Sequence, residues 1–87
     1  MALYLIDKPY GENGLALAEI DNDAKIVLIQ DGVYLNVERF ANKKEIYAIE
    51  NDLKKRGLLN MLPSYIKRID YSRLVDLIVK NKVFNFT

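Results

Sequence analysis

Two pairs of carboxylates, Asp21/Asp23 and Glu50/Asp52, and the tripeptide Gln30-Asp31-Gly32 are the residues in this 87-residue chain whose types and spacing could do chemistry. Carboxylates two positions apart can ligate a hard cation or share a proton in acid-base work. Both pairs fall at an expected turn or helix start, however, where Asp and Glu commonly serve as caps, and capping is the stronger expectation for them. Ser64, Ser72 and Thr87 are the hydroxyl nucleophiles apart from tyrosine, and with no histidine present no Ser-His arrangement can activate them. The chain also has no cysteine, so disulfides, thiolate nucleophiles and Cys or His metal centres are excluded. Neither a G-x-G-x-x-G fingerprint nor a phosphate-binding loop occurs. The six tyrosines, Tyr4, Tyr10, Tyr34, Tyr47, Tyr65 and Tyr71, could stack on bases, but their spread along the chain suits core and interface better. We therefore expect no catalytic residue, no metal and no cofactor.

The tripeptide Gln30-Asp31-Gly32 abruptly ends a run of four apolar residues, Ile26 to Ile29. That run is β-branched and unalternated, as in a strand covered on both faces. After it, Val33, Val37 and Phe40 recur at the i, i+4, i+7 spacing of a helix burying one stripe. Asp31 is thus placed to cap that helix by accepting from the amide of Val33 or Tyr34, and Gly32 suits a tight strand-to-helix turn. A helix start beyond a strand's carboxyl end also offers free donors, so Gln30, Asp31, Gly32, Val33 and Tyr34 form the candidate binding or docking loop.

The rest of the chain repeats this alternation. Ala2 to Ile6 is a short apolar strand, followed by a loop punctuated by Pro9, Gly11 and Gly14. A short helix is expected from Asn13, weakened by Gly14, and Asp21 to Asp23 is expected to turn. Glu45 to Ile49 is predicted as a strand and Glu50 to Gly57 as a short helix, with Asn51 or Asp52 capping its start and Gly57 ending it left-handed. Tyr65 to Ile69 is a fourth strand. Asp70 then precedes a helix whose Leu74, Leu77 and Ile78 share a stripe widened by Val75 and Val79. The tail holding Phe84 and Phe86 reads either as a short edge strand or as an interface packed on a neighbour. Four strands, with the tail as an optional fifth, alternating with helices predict one small three-layer α/β/α domain over residues 1–87 with a mainly parallel sheet.

A single domain of 10.1 kDa has a thin core, which favours oligomerisation. No apolar run approaches the roughly 18 to 20 residues of a membrane-spanning helix, and Met1 to Lys8 has no basic leader, so a cytoplasmic protein is expected. Residues 1–42 carry three basic and seven acidic groups, and the remainder ten basic and five acidic. The segregation allows a molecule with oppositely charged faces for head-to-tail contact or RNA, or an ordinary surface on which the charges intermix.

The runs I-V-L-I-Q-D-G-V-Y, I-Y-A-I-E-N-D-L-K-K-R-G-L and I-K-R-I-D-Y-S-R-L-V-D-L-I-V-K, in this order, resemble the DsrH/TusB family of the DsrE/DsrF/DsrH-like proteins. The resemblance implies a parallel α/β fold and assembly with cysteine-bearing DsrE-like and DsrF-like subunits. It implies a part in a sulfur relay toward 2-thiolation of the tRNA wobble uridine, with tRNA met only indirectly. Some members carry a cysteine in the first helix; here Ala18 stands near that position, which favours a structural or docking role. The alternative is a self-associating α/β module that binds another protein or a ligand outside sulfur transfer. A lone enzyme using a lysine or carboxylate is the remaining possibility.

Overall fold

A computed structural model describes every residue from Met1 to Thr87. Five parallel strands, β1 (Ala2–Ile6), β2 (Ala24–Leu28), β3 (Ile46–Ile49), β4 (Ile66–Ile69) and β5 (Lys82–Phe86), form one sheet in the order β4-β3-β2-β1-β5. Hydropathy explains the order. The central strands β1, β2 and β3 are almost wholly apolar and buried on both faces, whereas the edge strands β4 and β5 mix polar with apolar residues and are mostly exposed or half-buried. Lys67 and Arg68 on β4 also discourage pairing at that edge. The tail is therefore an edge strand, and the fifth strand is present.

Three α-helices connect the strands: α1 (Gly11–Ile20), α2 (Glu50–Lys55) and α3 (Tyr71–Lys80). One face of the sheet packs Tyr4, Ile6, Ile26, Leu28 and Ile46 against Leu15 and Ala18 of α1, Leu53 of α2, and Val33, Val37 and Phe40. The other packs Leu3, Val27, Tyr47, Ile49 and Ile69 against Leu74 and Leu77 of α3. The β1-α1-β2 step and the β4-α3-β5 return run in opposite directions on opposite faces, so the two crossovers share one hand, as parallel sheets require.

Local departures from expectation have local causes. Helix α1 begins at Gly11 rather than at Asn13. Gly14, which weakens a helix by propensity, is needed there: a Cβ would lie 2.9 Å from Phe86 Cγ and 3.1 Å from Ile6 Cγ1. The helix expected after Gly32 does not form. Its place is taken by two 3-10 turns, Gln30–Tyr34 and Glu38–Phe40. Leu35 between them is extended, and Asn36 Oδ1 accepts from the Glu38 amide at 3.0 Å, a side-chain bond that competes with helix continuation. Val33, Val37 and Phe40 are buried all the same, because two short turns can deliver the same spacing to a core.

At α2 neither Asn51 nor Asp52 caps the start; the capping position is Ile49, without a side-chain bond. The helix ends as expected. Gly57 has φ 69°, Leu58 N donates to Leu53 O at 2.9 Å and Gly57 N to Lys54 O at 3.2 Å, which is a Schellman motif. Asp70 caps α3, accepting from Arg73 N at 2.9 Å.

Tyr4 ties the tail to the core. Its ring stacks on Phe84 and Phe86 at centroid distances of 5.1 and 5.9 Å, and its hydroxyl donates to Asp21 Oδ2 at 3.0 Å. Phe84 and Phe86, the candidate interface residues, thus pack inward while staying half-exposed. Burial first, then the hydrogen bond to Asp21 and the Asp21 charge, raise the Tyr4 phenol above its ordinary 10.0. The contribution of the neutral phenol is complete below that ordinary value and is lost as pH rises through the raised value in the fold. Tyr4→Phe should cost about 1 kcal/mol at neutral pH and make stability less pH-dependent above about pH 10. Urea unfolding of both proteins at neutral and alkaline pH checks this; parallel alkaline slopes would refute the link.

Candidate functional site

All five strands end at one rim of the sheet, and the residues after β1, β2 and β3 converge there. Ile29, just past β2, donates its amide to Ile6 O at the end of β1 at 3.0 Å. The chain then turns at Gln30, a non-glycine residue held at φ 53°, in the left-handed region that costs an L-residue roughly 1 to 2 kcal/mol. Such a conformation persists where surrounding contacts enforce it, and strained positions of this kind cluster at functional sites.

The enforcing contact comes from α2. Asp52, 6% exposed and the buried acid of the fold, accepts the Gln30 amide on Oδ2 at 2.8 Å. One turn along α2, Arg56 Nη1 donates to Asp52 O at 3.1 Å and lies 3.8 Å from Asp52 Oδ1, while Arg56 Nε reaches Asp31 Oδ1 at 2.9 Å. The hydrogen bond to Asp31, opposed by partial burial and reinforced by the Asp31 and Asp52 charges, raises the Arg56 guanidinium above its already high ordinary value. Arg56 therefore stays cationic wherever the fold survives and links β2's exit loop to α2.

The Asp31 cap expected from the sequence is absent. The capping position of the turn is Ile29 with no side-chain bond, and the Asp31 carboxylate points to Arg56 instead. A 3-10 turn this short leaves few free amides to cap, and a cation lies within reach. Gly32 is needed for close approach rather than for a left-handed turn: a Cβ on it would sit 2.2 Å from Ile6 O. Of the candidate loop, Gln30, Asp31 and Tyr34 are exposed, whereas Gly32 and Val33 are buried beneath them. An apolar groove of about 190 Å³ adjoins Val33, with Leu35, Leu58, Leu62 and Tyr65 among the residues that line it.

Sequence reasoning missed Asp52 and Arg56 as parts of the site, and took Asp52 for a helix cap. Their i, i+4 spacing on a predicted helix was the available signal. The other acidic pair is engaged structurally: Asp21 accepts from Tyr4 and, on Oδ1, from the Asp23 amide at 3.0 Å. No group of three acidic residues gathers as a metal site would require. Ala18, near the position where some DsrH-type proteins carry a cysteine, is fully buried on α1. The segregated charges partly intermix in space, since Lys25 pairs with Glu45 at 3.4 Å and Arg56 with Asp31.

Known proteins share this architecture. The YchN protein of E. coli superposes with a TM-score of 0.75 over 98% of this chain and 97% of its own, at 18% identity, a likeness of fold. Protein Tm0979 of Thermotoga maritima, a solution NMR structure, gives a TM-score of 0.67 at 30% identity over 92% of this chain and 93% of its own. The chain is 28% identical to a stretch of valine–tRNA ligases of Bacteroides fragilis, but spans only 8% of their length. Protein TusB of Buchnera aphidicola subsp. Baizongia pistaciae is 31% identical over 86 residues, covering 90% of each chain. Residues 12–83 match the family described as DsrH like protein, and with the TusB similarity extending over nearly the whole length, the chain belongs to the DsrH/TusB family.

Proposed function

We propose that this protein is a non-catalytic subunit of a sulfur-relay complex that serves 2-thiolation of the tRNA wobble uridine, docking on cysteine-bearing DsrE-like and DsrF-like subunits through the loop Gln30 to Tyr34. The observation that carries the reading is membership of the DsrH/TusB family by a chain with no thiol among its 87 residues. A persulfide must be held on a thiolate, so the reacting sulfur belongs to a partner and this chain contributes surface. The loop supports that role physically: Gln30, Asp31 and Tyr34 stand exposed on a backbone fixed from below by Asp52 and Arg56. Preorganisation of this kind lowers the entropy lost on binding. No helix is long and apolar enough to cross a membrane, in keeping with a cytoplasmic complex.

Size-exclusion chromatography of the chain with the DsrE-like and DsrF-like proteins of its own genome tests docking, and intact mass after a persulfide donor tests chemistry. Co-elution is expected, with no retained addition of about 32 Da per sulfur on this chain. Asp31→Ala with Tyr34→Ala, both exposed changes, should weaken the complex at least about tenfold while leaving the fold intact. A stable sulfur adduct would overturn the non-catalytic role, and a complex indifferent to the double variant would overturn the loop. Failure to co-elute would favour the self-associating module, which has one observation on its side: an apolar helix face that nothing in the chain covers.

A further inference from the structure

Strand β5 closes one end of the sheet with β1 as its single neighbour, and the orientation of its backbone follows from two bonds. Lys82 N donates to Met1 O and Phe86 O accepts from Asp7 N, both at 3.0 Å, so the backbone groups of Lys82, Phe84 and Phe86 face β1. Those groups alternate sides along a strand. The N–H and C=O of Val83 and of Asn85 therefore point outward, four hydrogen-bonding groups with no partner in the chain. Folded proteins commonly blunt such an edge with charge, as Lys67 and Arg68 do on β4. On β5 that protection is missing: its one charged residue, Lys82, lies over the Phe84 ring at 5.4 Å instead of standing out along the edge.

The spacing of the free groups indicates the occupant. When β5 is paired antiparallel with the β5 of a second copy, centred on Phe84, Val83 falls opposite the second copy's Asn85 and Asn85 opposite its Val83. Both are hydrogen-bonded positions, each exchanging two N–H···O bonds, so all four outward groups of each copy are satisfied at once. Phe84 meets its own counterpart at the closer, non-hydrogen-bonded position, and Lys82 meets Phe86, so no like charges oppose one another. The seam also covers apolar surface. Phe84 and Phe86 are half-exposed, Gly14 of α1 abuts Phe86, and Leu17, three residues further along the same flank of α1, is 46% exposed. Such reciprocity is what an isologous contact requires. From it we infer that the outer edge of β5 joins two copies of this chain, their sheets continuing into each other through an antiparallel β5 seam about a twofold axis.

A seam of two five-residue strands with their flanking side chains buries on the order of 1,000 Å², at the weak end of specific interfaces. The expected dimer is accordingly reversible, with a dissociation constant of roughly 100 µM. The contact uses none of the residues Gln30 to Tyr34, and the test uses this chain alone, so its failure leaves the sulfur-relay reading standing.

Sedimentation velocity from about 5 to 500 µM should show the 10.1 kDa chain moving to twice that mass. Asn85→Pro separates the seam from the fold. The Asn85 N–H points away from β1, where proline is tolerated on an edge strand, yet its loss removes one bond per copy from the seam and sets a ring in it. Dimerisation should weaken at least about tenfold, with circular dichroism confirming an unchanged fold. The register is tested by cross-linking, which the absence of native cysteine makes clean. Residues in a hydrogen-bonded antiparallel pair have Cα atoms about 5.5 Å apart, within disulfide reach. Under mild oxidation, a mixture of Val83→Cys and Asn85→Cys should therefore cross-link several-fold faster than either variant alone. A protein that stays monomeric across the range, a dimer untouched by Asn85→Pro, or a mixture that cross-links no faster than its components would each overturn the inference.

Discussion

Gly32→Ala lowers the stability of this fold by roughly 2 to 4 kcal/mol, the largest loss expected from adding a single methyl group anywhere in the chain. The reason lies in β1 rather than in the turn. Ile6 O accepts the Ile29 amide and lies only 2.2 Å from where a Cβ on residue 32 would be. The obstacle is backbone, fixed on both sides by parallel pairing with β2 and β5, so it cannot rotate away as a side-chain tip could. Relief requires the Gln30–Tyr34 turn to lift, and that lift breaks the Gly32-to-Ile29 hydrogen bond of 2.8 Å and draws Val33 from the core. Gly57→Ala is the control. Its φ of 69° makes alanine unfavourable, but open space surrounds the position, so about 1 kcal/mol should be lost. Urea midpoints compare the two directly. A loss at Gly32 no greater than at Gly57 would mean that the turn is free to move, which would remove the basis for a preorganised docking loop.

How much of this was legible in the sequence depends on where each determinant resides. The strands were, because a central parallel strand needs apolar residues on both faces and Ala2 to Ile6, Ile26 to Ile29 and Ile46 to Ile49 have little else. Asp70 and Gly57 were also legible, since caps depend on neighbours within a few residues. The helix predicted after Gly32 failed because the 33, 37, 40 spacing is satisfied equally by two 3-10 turns, and the Asn36 side-chain bond that separates them leaves no mark on hydrophobic periodicity. Burial on α3 failed for a different reason. Periodicity identifies an apolar stripe without saying what covers it, and here the same pattern spans a side facing the sheet and a side facing out. In the site, Gln30 to Tyr34 could be located from the rule that ligands gather at strand carboxyl ends. The roles of Asp52 and Arg56 could not, because they arise from the adjacency of β2 and β3 in the sheet, which brings residues 22 and 25 positions apart into hydrogen-bond contact.

That adjacency gives Asp52 its importance. Asp52→Ala should destabilise the protein by about 2 to 3 kcal/mol, because it removes the acceptor of the Gln30 amide and leaves Arg56 beside the loop with Asp31 alone. Asp52→Asn should cost less, about 1 kcal/mol, since its carbonyl oxygen can still accept the 2.8 Å bond from Gln30 while only the charge facing Arg56 is lost. The order of these two variants separates the hydrogen bond from the charge: equal losses would mean that the Arg56 pairing, not the Gln30 bond, is what the carboxylate supplies. Global stability is only part of the expected effect. With its acceptor gone, Gln30 has less reason to remain at φ 53°, and the loop should relax toward ordinary backbone conformations. Amide exchange at Gln30 to Tyr34 in Asp52→Ala should then accelerate by more than the loss of global stability accounts for, whereas exchange in β1 and β3 should track that loss alone. If the loop amides exchange no faster than the central strands, the left-handed turn is held by its own local contacts, and Asp52 acts on the fold without acting on the surface the loop presents to a partner.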